Sequence, residues 1–365
     1  MARSPSRRAA VDLDDRASYA HLDPAGMLEF AVGLPEQVEE AGRIGASFRP
    51  PASLRGASNI VVAGMGGSAV TGDFLARLCE DRSPLPVVVC RSYVVPKLVG
   101  PDTLFIASSH SGNTEEALAA VAAARRRGAR IVCITTNGKL RDFARRHGLA
   151  LLEIPQTDPP MPPRAALGYS FIPLVSLFSS LGIYRGAARQ IAETVALLRR
   201  MRSRLRPEVP ESRNRAKQLA RALHGKIPWV HGTVGIMSAA AYRWRCQFNE
   251  NSKTLAYSGE YPELNHNEVV GWEIAPELAA NISVVVLQRP DDHPRVRARV
   301  EITRSLISPK APVHVIEAEG RSLLAQLLSA VYLGDFTSLY LAFLNGADPS
   351  TIAAINILKD RLARL

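Results

Sequence analysis

Short apolar runs alternate with longer amphipathic stretches through the first half of the chain. Each run has the length of a strand, is rich in valine and isoleucine, and ends in Gly, Ser, Asn or Pro. Near-continuous apolar strands separated by helices are typical of a parallel sheet covered on both faces. The predicted strands are Asn59–Ala63, Pro86–Cys90, Thr103–Ala107, Arg130–Thr135 and Ala150–Ile154, and the predicted helices between them cover 68–80, 114–127 and 139–147.

The same alternation returns after a helical region over 165–205. Two α/β halves in tandem follow from this repeat. We expect a tail and a helical segment over 1–54, a first domain over 55–205 and a second over 206–365. In the second domain the predicted strands are Trp229–His231, Thr254–Tyr257, Ile282–Gln288 and Val313–Glu317, with helices near 212–224, 236–250 and 321–344.

The composition is that of a soluble globular protein. Of 365 residues, 47% are hydrophobic and 22% are charged, and no apolar run of 18 residues predicts a membrane span. The first fifteen residues are basic and then acidic, without an apolar core. They predict a solvated tail rather than a secretory signal, with a transit peptide as the alternative, and the expected location is the cytoplasm.

The formal charge of +11 raises the question of nucleic-acid binding. The arginines are scattered, however, and the runs Arg125–Arg127 and Arg199–Arg206 fall in helical stretches, where such runs are typical of solvated faces. We therefore expect no nucleic-acid partner. The cysteines lack the CxxC spacing of zinc sites, which favours buried free thiols in an intracellular chain. They are Cys79, Cys90, Cys133 and Cys246.

A hydroxyl-rich turn follows the third predicted strand. Residues 104–116 read LFIASSHSGNTEE, so Ser109, Ser111 and Thr114 surround one glycine just before a helix begins. Free N–H groups at a helix N-terminus form an anion site, and these hydroxyls can donate to the same anion. The turn lacks the lysine of a nucleotide P-loop, which favours a small phosphorylated metabolite as the ligand.

A second loop, rich in glycine, follows the first predicted strand and reads GMGGS over 64–68. A dinucleotide fingerprint and a tight structural turn are the alternatives, but the spacing is not G-x-G-x-x-G and no acidic residue ends the next strand. Loops that end neighbouring parallel strands lie where open α/β sheets bind ligands. We therefore predict that Gly67 and Ser68 bind the same phosphate as the hydroxyl-rich turn.

Five ordered motifs together resemble the bifunctional phosphoglucose/phosphomannose isomerase family: GMGGSAVTGD, SSHSGNTEE, MPPRAALGY, FNENSK and PELNHNEVVGW. The match covers about 55–365. It implies two tandem sugar-isomerase (SIS) domains, each a parallel sheet flanked by helices. It also implies cofactor-free interconversion of glucose 6-phosphate and fructose 6-phosphate, and of mannose 6-phosphate and fructose 6-phosphate, through an enediol. One departure is His110, where the family often has an aromatic residue.

An enediol mechanism needs a base that moves a proton between C1 and C2 of the sugar. Glu250 lies between two asparagines where a predicted helix ends, and their amides can orient it. The resemblance makes Glu250 the general base, with an ordinary surface glutamate as the alternative. Arg164 ends the proline-rich, rigid tract Thr157–Arg164. The resemblance places it beside the enediolate, where a cation stabilises negative charge, and an ordinary ion pair is the alternative.

The same chemistry needs groups that open the sugar ring. His266 lies in a polar loop, and an imidazole suits proton transfer with a ring oxygen. The resemblance implies that it does so from the partner subunit of a homodimer, whereas a structural loop histidine is the alternative. Lys359 is implied as the second ring-opening group, or it snorkels along a buried stripe of the terminal helix. That stripe contains Ile355, Leu358, Leu362 and Leu365.

Ser350 and Thr351 precede the terminal helix and are predicted either to contact sugar hydroxyls or to cap the helix. The remaining His and Cys residues form no recognisable ligand set, so we expect no metal. The rival functions are an isomerase for another sugar phosphate and a non-catalytic sugar-phosphate sensor. A sensor would have no use for Glu250, His266 and Lys359 together.

Overall fold

Two parallel sheets form the framework of the protein. The computed structural model describes residues 11–273, 275–362 and 364. The first sheet has the order β2-β1-β3-β4-β5 and contains β1 (Asn59–Ala63), β2 (Val87–Cys90), β3 (Thr103–Ser108), β4 (Arg130–Thr135) and β5 (Ala150–Glu153). The second has the order β7-β6-β8-β9 and contains β6 (Ile227–Thr233), β7 (Tyr257–Tyr261), β8 (Ile282–Gln288) and β9 (Val313–Glu317). The predicted α/β fold with a parallel sheet in each half is confirmed.

Helices cover both sheets and join the two halves. The first half contains α1 (Met27–Val32), α2 (Leu34–Ser47), α3 (Gly66–Cys79), α4 (Glu115–Arg126), α5 (Gly138–Arg146), α6 (Leu167–Ser180) and α7 (Ala187–Leu205). The second contains α8 (Arg215–Leu223), α9 (Ile236–Glu250), α10 (Glu268–Gly271), α11 (Pro276–Ala279), α12 (Pro294–Ile307), α13 (Leu323–Leu344) and α14 (Ala353–Leu362). Helix α3 packs against α9, and α7 packs against α13, so the halves share one large core.

Helix α13 is the central helix of this core. Among the described residues it is the one helix that is long and apolar enough to cross a membrane, but 94% of its most apolar stretch is buried inside the protein. Ser322 caps its N-terminus by accepting a hydrogen bond from the backbone N–H of Ala325. An apolar helix that is buried on all sides is typical of the centre of a large fold.

The prediction for the seventh strand is wrong. We expected Thr254–Tyr257, whereas β7 is Tyr257–Tyr261. Its sequence YSGEY contains no valine or isoleucine, and the strand lies at the edge of its sheet. An edge strand is only half covered, so burial does not require the continuous apolar run on which the prediction depended.

The start of the chain is not a free tail as far as the structure describes it. Residues 1–10 lie outside the described residues, but Leu13 is fully buried and Asp14 accepts a hydrogen bond from Lys217 Nζ at 3.0 Å. Further on, Tyr19 stacks on Phe343 with ring centroids 4.7 Å apart. The expectation of a solvated tail is therefore wrong for residues 11–15, because this segment packs on the second half of the chain.

The arginine runs are exposed helix faces, as predicted, and some of their members pair with carboxylates. Arg199 and Arg202 contact Glu36 on α2 at 3.4 and 2.6 Å, and Arg204 contacts Glu319 at 2.8 Å. The four cysteines are free, three of them buried and Cys246 half-buried. The domain boundaries near 54 and 205 stay predictions.

Candidate active site

The two predicted phosphate loops lie side by side because β1 and β3 are paired neighbours. In this pairing Ala63 is in register with Ala107, so the loops leave the same edge of the sheet. A Cβ atom at Gly64 would lie 2.8 Å from the carbonyl oxygen of Ser108, which shows how closely the loops pack. Ser68 lies in the first turn of α3 and is buried.

The hydroxyl-rich loop is preorganised by its own contacts. The hydroxyl oxygens of Ser109 and Thr114 are 2.8 Å apart, and Thr114 is the N-cap residue of α4. Ser109 is buried and Ser111 is exposed. Gly112 has φ of +69°, and a Cβ atom there would lie 1.7 Å from the carbonyl oxygen of Asn137. This position therefore requires glycine.

The proline tract carries Arg164 to the glycine loop. A Cβ atom at Gly67 would lie 3.2 Å from the carbonyl oxygen of Pro163 and 3.7 Å from Cα of Arg164. On its other side the tract is held by Gln37, whose amide nitrogen donates to the carbonyl of Ala165 at 3.1 Å. The tract thus joins the phosphate loops to the residues at the start of α6.

The Arg164 guanidinium is buried between the two halves of the chain. Its Nε donates to Oδ1 of Asn251 at 2.8 Å, and one terminal nitrogen, Nη2, donates to the carbonyls of both Pro349 and Ser350. Another terminal nitrogen is 3.5 Å from Oε2 of Glu250. Burial lowers the pKa of Arg164, and the Glu250 carboxylate opposes that effect.

Glu250 is the last residue of α9, and its side chain is 31% exposed beside the buried Arg164. The next residue, Asn251, is fixed by a hydrogen bond from its Nδ2 to Oγ of Ser338 on α13, at 2.9 Å. The turn that follows α9 is therefore anchored to the core. This arrangement leaves a carboxylate that solvent or substrate can reach, next to a fixed cation.

Sequence reasoning missed one cation at this position. Lys253 has φ of +53°, and its Nζ donates to the carbonyls of Glu250 and Thr351. Burial and the charge of Arg164 lower the pKa of Lys253. Its presence in the FNENSK motif was the available signal, but nothing in that motif assigns the lysine a partner.

Ser350 and Thr351 contribute backbone carbonyls to this cluster. Their hydroxyls bond to Asp348, with Ser350 Oγ 2.6 Å from Oδ1 and Thr351 Oγ1 3.1 Å from the carbonyl oxygen. Since α14 begins at Ala353, neither residue is its N-cap, and the capping alternative is wrong. Their contact with a sugar stays a prediction.

His266 and Lys359 lie on the surface, and both side chains are exposed. Among the residues that the structure describes, no hydrogen bond or ion pair joins either side chain to Glu250 or Arg164. The structure of a single chain therefore brings the predicted phosphate loops, Arg164 and Glu250 together, but shows no bond from them to the two predicted ring-opening groups.

The expected buried stripe on the terminal helix is wrong. No described residue of α14 is buried, and its apolar side chains are between 39% and 58% exposed. These side chains are Ile355, Ile357, Leu358 and Leu362; Leu365, also assigned to the stripe, lies outside the described residues. Within the described part of the chain, the apolar side chains of this helix are therefore only partly covered.

Two family models match the chain. The model described as "SIS domain" matches residues 53–160, and the one described as "Bacterial phospho-glucose isomerase C-terminal SIS domain" matches 212–362. In the parts of the chain that the structure describes, no group of three or more His, Cys, Asp or Glu side chains could hold a metal ion.

The chain is also similar to curated proteins and to a solved structure. It is 43% identical to the bifunctional phosphoglucose/phosphomannose isomerase of Caldicellulosiruptor bescii over 93% of this chain and 99% of the relative, and 35% identical to that of Aquifex aeolicus over 84% and 90%. A hypothetical protein from Thermus thermophilus shares the fold, with a TM-score of 0.71 at 16% identity over 93% of this chain and 91% of that one. The chain therefore belongs to the bifunctional phosphoglucose/phosphomannose isomerase family and is an isomerase built from two SIS domains.

Proposed function

We propose that this enzyme interconverts glucose 6-phosphate and fructose 6-phosphate, and mannose 6-phosphate and fructose 6-phosphate. The names of its relatives support the reaction. The observation that carries the proposal is the contact of Arg164 with Glu250, 3.5 Å apart, at the end of a tract that packs on the glycine loop. A carboxylate, a fixed cation and a phosphate-binding edge are thus assembled at one place.

The phosphate group is held by the two loops at the ends of β1 and β3. The backbone at Gly67 and the hydroxyls of Ser68, Ser109, Ser111 and Thr114 donate hydrogen bonds to its oxygens, and the N-termini of α3 and α4 favour its charge. With the phosphate fixed, the sugar chain extends toward the C-terminus of α9. Ser350 and Thr351 contact its hydroxyls.

Glu250 removes the proton from C2 of the aldose and returns it to C1, which forms the ketose. The intermediate enediolate carries negative charge, and the buried guanidinium of Arg164 stabilises it with little reorganisation. C2 of the enediolate is planar and has lost its configuration, so the epimer that forms, glucose or mannose, depends on which face of C2 the intermediate presents to Glu250. One base in one site therefore serves both reactions.

Ring opening depends on His266 and Lys359, and we propose that His266 acts from the partner subunit of a homodimer. Support comes from the exposure of both side chains and from the uncovered apolar residues of α14, which suit a protein interface. We place the enzyme in the cytoplasm, where phosphorylated sugars are found, with no nucleic-acid or membrane partner.

The test of the proposed base is the variant Glu250→Gln. We expect turnover of glucose, mannose and fructose 6-phosphates to fall by about 10²–10⁴-fold, because the amide cannot accept the proton. A coupled spectrophotometric assay measures all three substrates. Glu301→Gln, which alters an exposed carboxylate on α12, serves as the control and keeps full activity.

Undiminished turnover in Glu250→Gln would remove that residue from the role of base. The same assay with EDTA tests the expectation that no metal takes part. Loss of activity on chelation, restored by a divalent metal, would contradict it. Binding of the sugar phosphates without any turnover by the parent enzyme would point to a sensor.

A further inference from the structure

The loop that carries His266 is tied to the second sheet by one carboxylate. Oε1 of Glu268 accepts hydrogen bonds from Nε1 of Trp229 at 2.7 Å and from Nε2 of His231 at 2.6 Å. Both donors are on β6. The His231 side chain is fully buried, and the Glu268 side chain is 12% exposed. The anchor thus lies two residues after His266, beneath the surface that presents it.

The Glu268 carboxylate lies where a side chain on the neighbouring strand β7 would otherwise lie. A histidine and a glutamate lose hydration when they are buried, and the hydrogen bond between Nε2 of His231 and Oε1 of Glu268 offsets part of that cost, although Nδ1 and Oε2 of the pair have no partner among the described residues. On the neighbouring strand β7, a Cβ atom at Gly259 would lie 2.8 Å from Oε2 of Glu268. The glycine therefore leaves room for the carboxylate in its present position, and a larger side chain there would displace it.

The other side of the His266 loop is fixed as well. Nδ2 of Asn265 donates to Oγ1 of Thr303 on α12 at 2.7 Å, and Leu264 is buried in the core of the second domain. At the end of the loop, Lys310 Nζ donates to the carbonyl of Trp272. The backbone on each side of His266 is thus held, while the imidazole itself is exposed.

We propose that Glu268, held by His231 and Trp229, is a positioning residue that fixes the backbone of His266 so that its imidazole meets the sugar ring oxygen. This inference rests on the proposed role of His266 in ring opening. A catalytic group on a free surface loop would sample many positions. Misplacement by about 1 Å can lower a rate by about 10²-fold, so a rigid anchor directly increases turnover.

The disruptive variant is Glu268→Leu, which leaves the donors on Trp229 and His231 without their acceptor. We expect kcat for fructose 6-phosphate to fall by about 10–100-fold, with KM changed by less than about threefold because the phosphate loops are untouched. Glu268→Gln keeps an oxygen that both N–H groups can reach. It should therefore retain most of the activity. If the role of Glu268 depended on its negative charge, Glu268→Gln would instead lose activity as Glu268→Leu does.

A double-mutant cycle with His266→Asn separates positioning from general destabilisation. If Glu268 acts through His266, then Glu268→Leu lowers kcat in the parent but has no further effect in the His266→Asn background, within about twofold. A purely structural role would lower kcat by the same factor in both backgrounds, and that result would overturn the proposal.

Two controls complete the experiment. Glu273→Leu alters an exposed carboxylate of the same loop and should keep parent kinetics. Arabinonate 5-phosphate, an acyclic ligand that needs no ring opening, should bind Glu268→Leu with parent affinity, which shows that the rest of the site is intact. If Glu268→Leu does not fold, Trp229→Phe, which removes one donor, takes its place in the same cycle and should lower kcat in the parent background alone.

The outcomes separate this inference from the proposed function. Parent-like turnover in His266→Asn would remove that histidine from ring opening and would overturn the positioning role with it. Impaired His266→Asn together with parent-like Glu268→Leu would overturn the positioning role alone and leave the proposed function standing.

Discussion

His110 is a titratable side chain in the hydroxyl-rich turn after β3, and the folded protein resists its protonation. Its ring is half-buried, and its Nδ1 has no hydrogen-bond partner among the described residues. Burial lowers the pKa of His110, and a hydrogen bond with the backbone of Met161 opposes this effect. At His110, the unfolded chain therefore binds a proton more readily than the folded chain does. Stability is complete above the unfolded pKa, about 6.5, and decreases as the pH falls through the folded value.

We predict that His110→Phe reduces the loss of unfolding free energy between pH 7.5 and 5.5, because the phenyl ring does not titrate. Urea unfolding at several pH values measures the effect. His110→Asn also removes the titrating ring, without adding an apolar one, and should flatten the pH dependence equally. A pH dependence that is unchanged in both variants would contradict the prediction.

For single residues, the sequence shows which side chains carry the chemistry more readily than it shows what those side chains contact. Arg164 and Glu250 were both selected by their motifs, but nothing in a linear pattern shows that the guanidinium also bonds to Asn251 and to the carbonyl of Ser350. Lys253 was missed for the same reason. Its partners are backbone carbonyls, which every residue carries, so they leave no signal in the sequence.

Among the elements, the turn between β3 and α4 depends most on its backbone. Gly112 combines φ of +69° with the carbonyl of Asn137 at the place where a Cβ atom would lie. Left-handed backbone costs an alanine about 1–2 kcal/mol, and the overlap forces a further displacement of the loop that follows β4. Gly112 therefore permits a close packing that holds the loop in place.

We predict that Gly112→Ala lowers the free energy of unfolding by at least about 3 kcal/mol and weakens binding of the sugar phosphate, because Ser109 and Thr114 must shift. The matched control is Gly148→Ala, where φ is +61° but no atom lies within 4 Å of the added methyl group. It should cost about 1–2 kcal/mol and leave KM unchanged. Urea unfolding and steady-state kinetics check both variants, and equal losses would contradict the role of the Asn137 contact.

The elements with a strong apolar pattern were predictable, and those shaped by partners were not. The strands β1 and β8, which lie inside their sheets, were placed with correct bounds because valine and isoleucine dominate their sequences NIVVA and ISVVVLQ. In contrast, β7 and α14 have one flank uncovered within the single chain. The position of β7 and the exposure of the α14 stripe depend on which faces the rest of the fold covers, and an apolar pattern does not show this.

On the scale of the whole molecule, a homodimer in which His266 crosses the interface makes a quantitative prediction. We expect a mixture of Glu250→Gln and His266→Asn subunits, each nearly inactive, to regain activity after dissociation and reassociation. In a mixed dimer one site receives both defects and the other receives neither. Random pairing therefore restores about a quarter of parent activity.

Kinetic assays before and after subunit exchange, with light scattering to determine the mass, measure this effect. Glu250→Gln alone, taken through the same exchange, is the control and should regain nothing. A monomeric mass, or no recovery in the mixture, would show that His266 and Glu250 of the same chain work together or that His266 takes no part.

The buried contacts of Arg164 also limit how this protein can change by recombination. Arg164 belongs to the first half, whereas Asn251, and Asp335, which pairs with Arg243 beneath it, belong to the second. The two halves resemble each other in architecture, yet the proposed reacting groups are divided between them. A gene fusion that replaced only one half with that of a distant homologue would break these bonds. Replacing both halves together would keep matching partners. The tandem halves must therefore be inherited as one unit, although they fold around separate sheets.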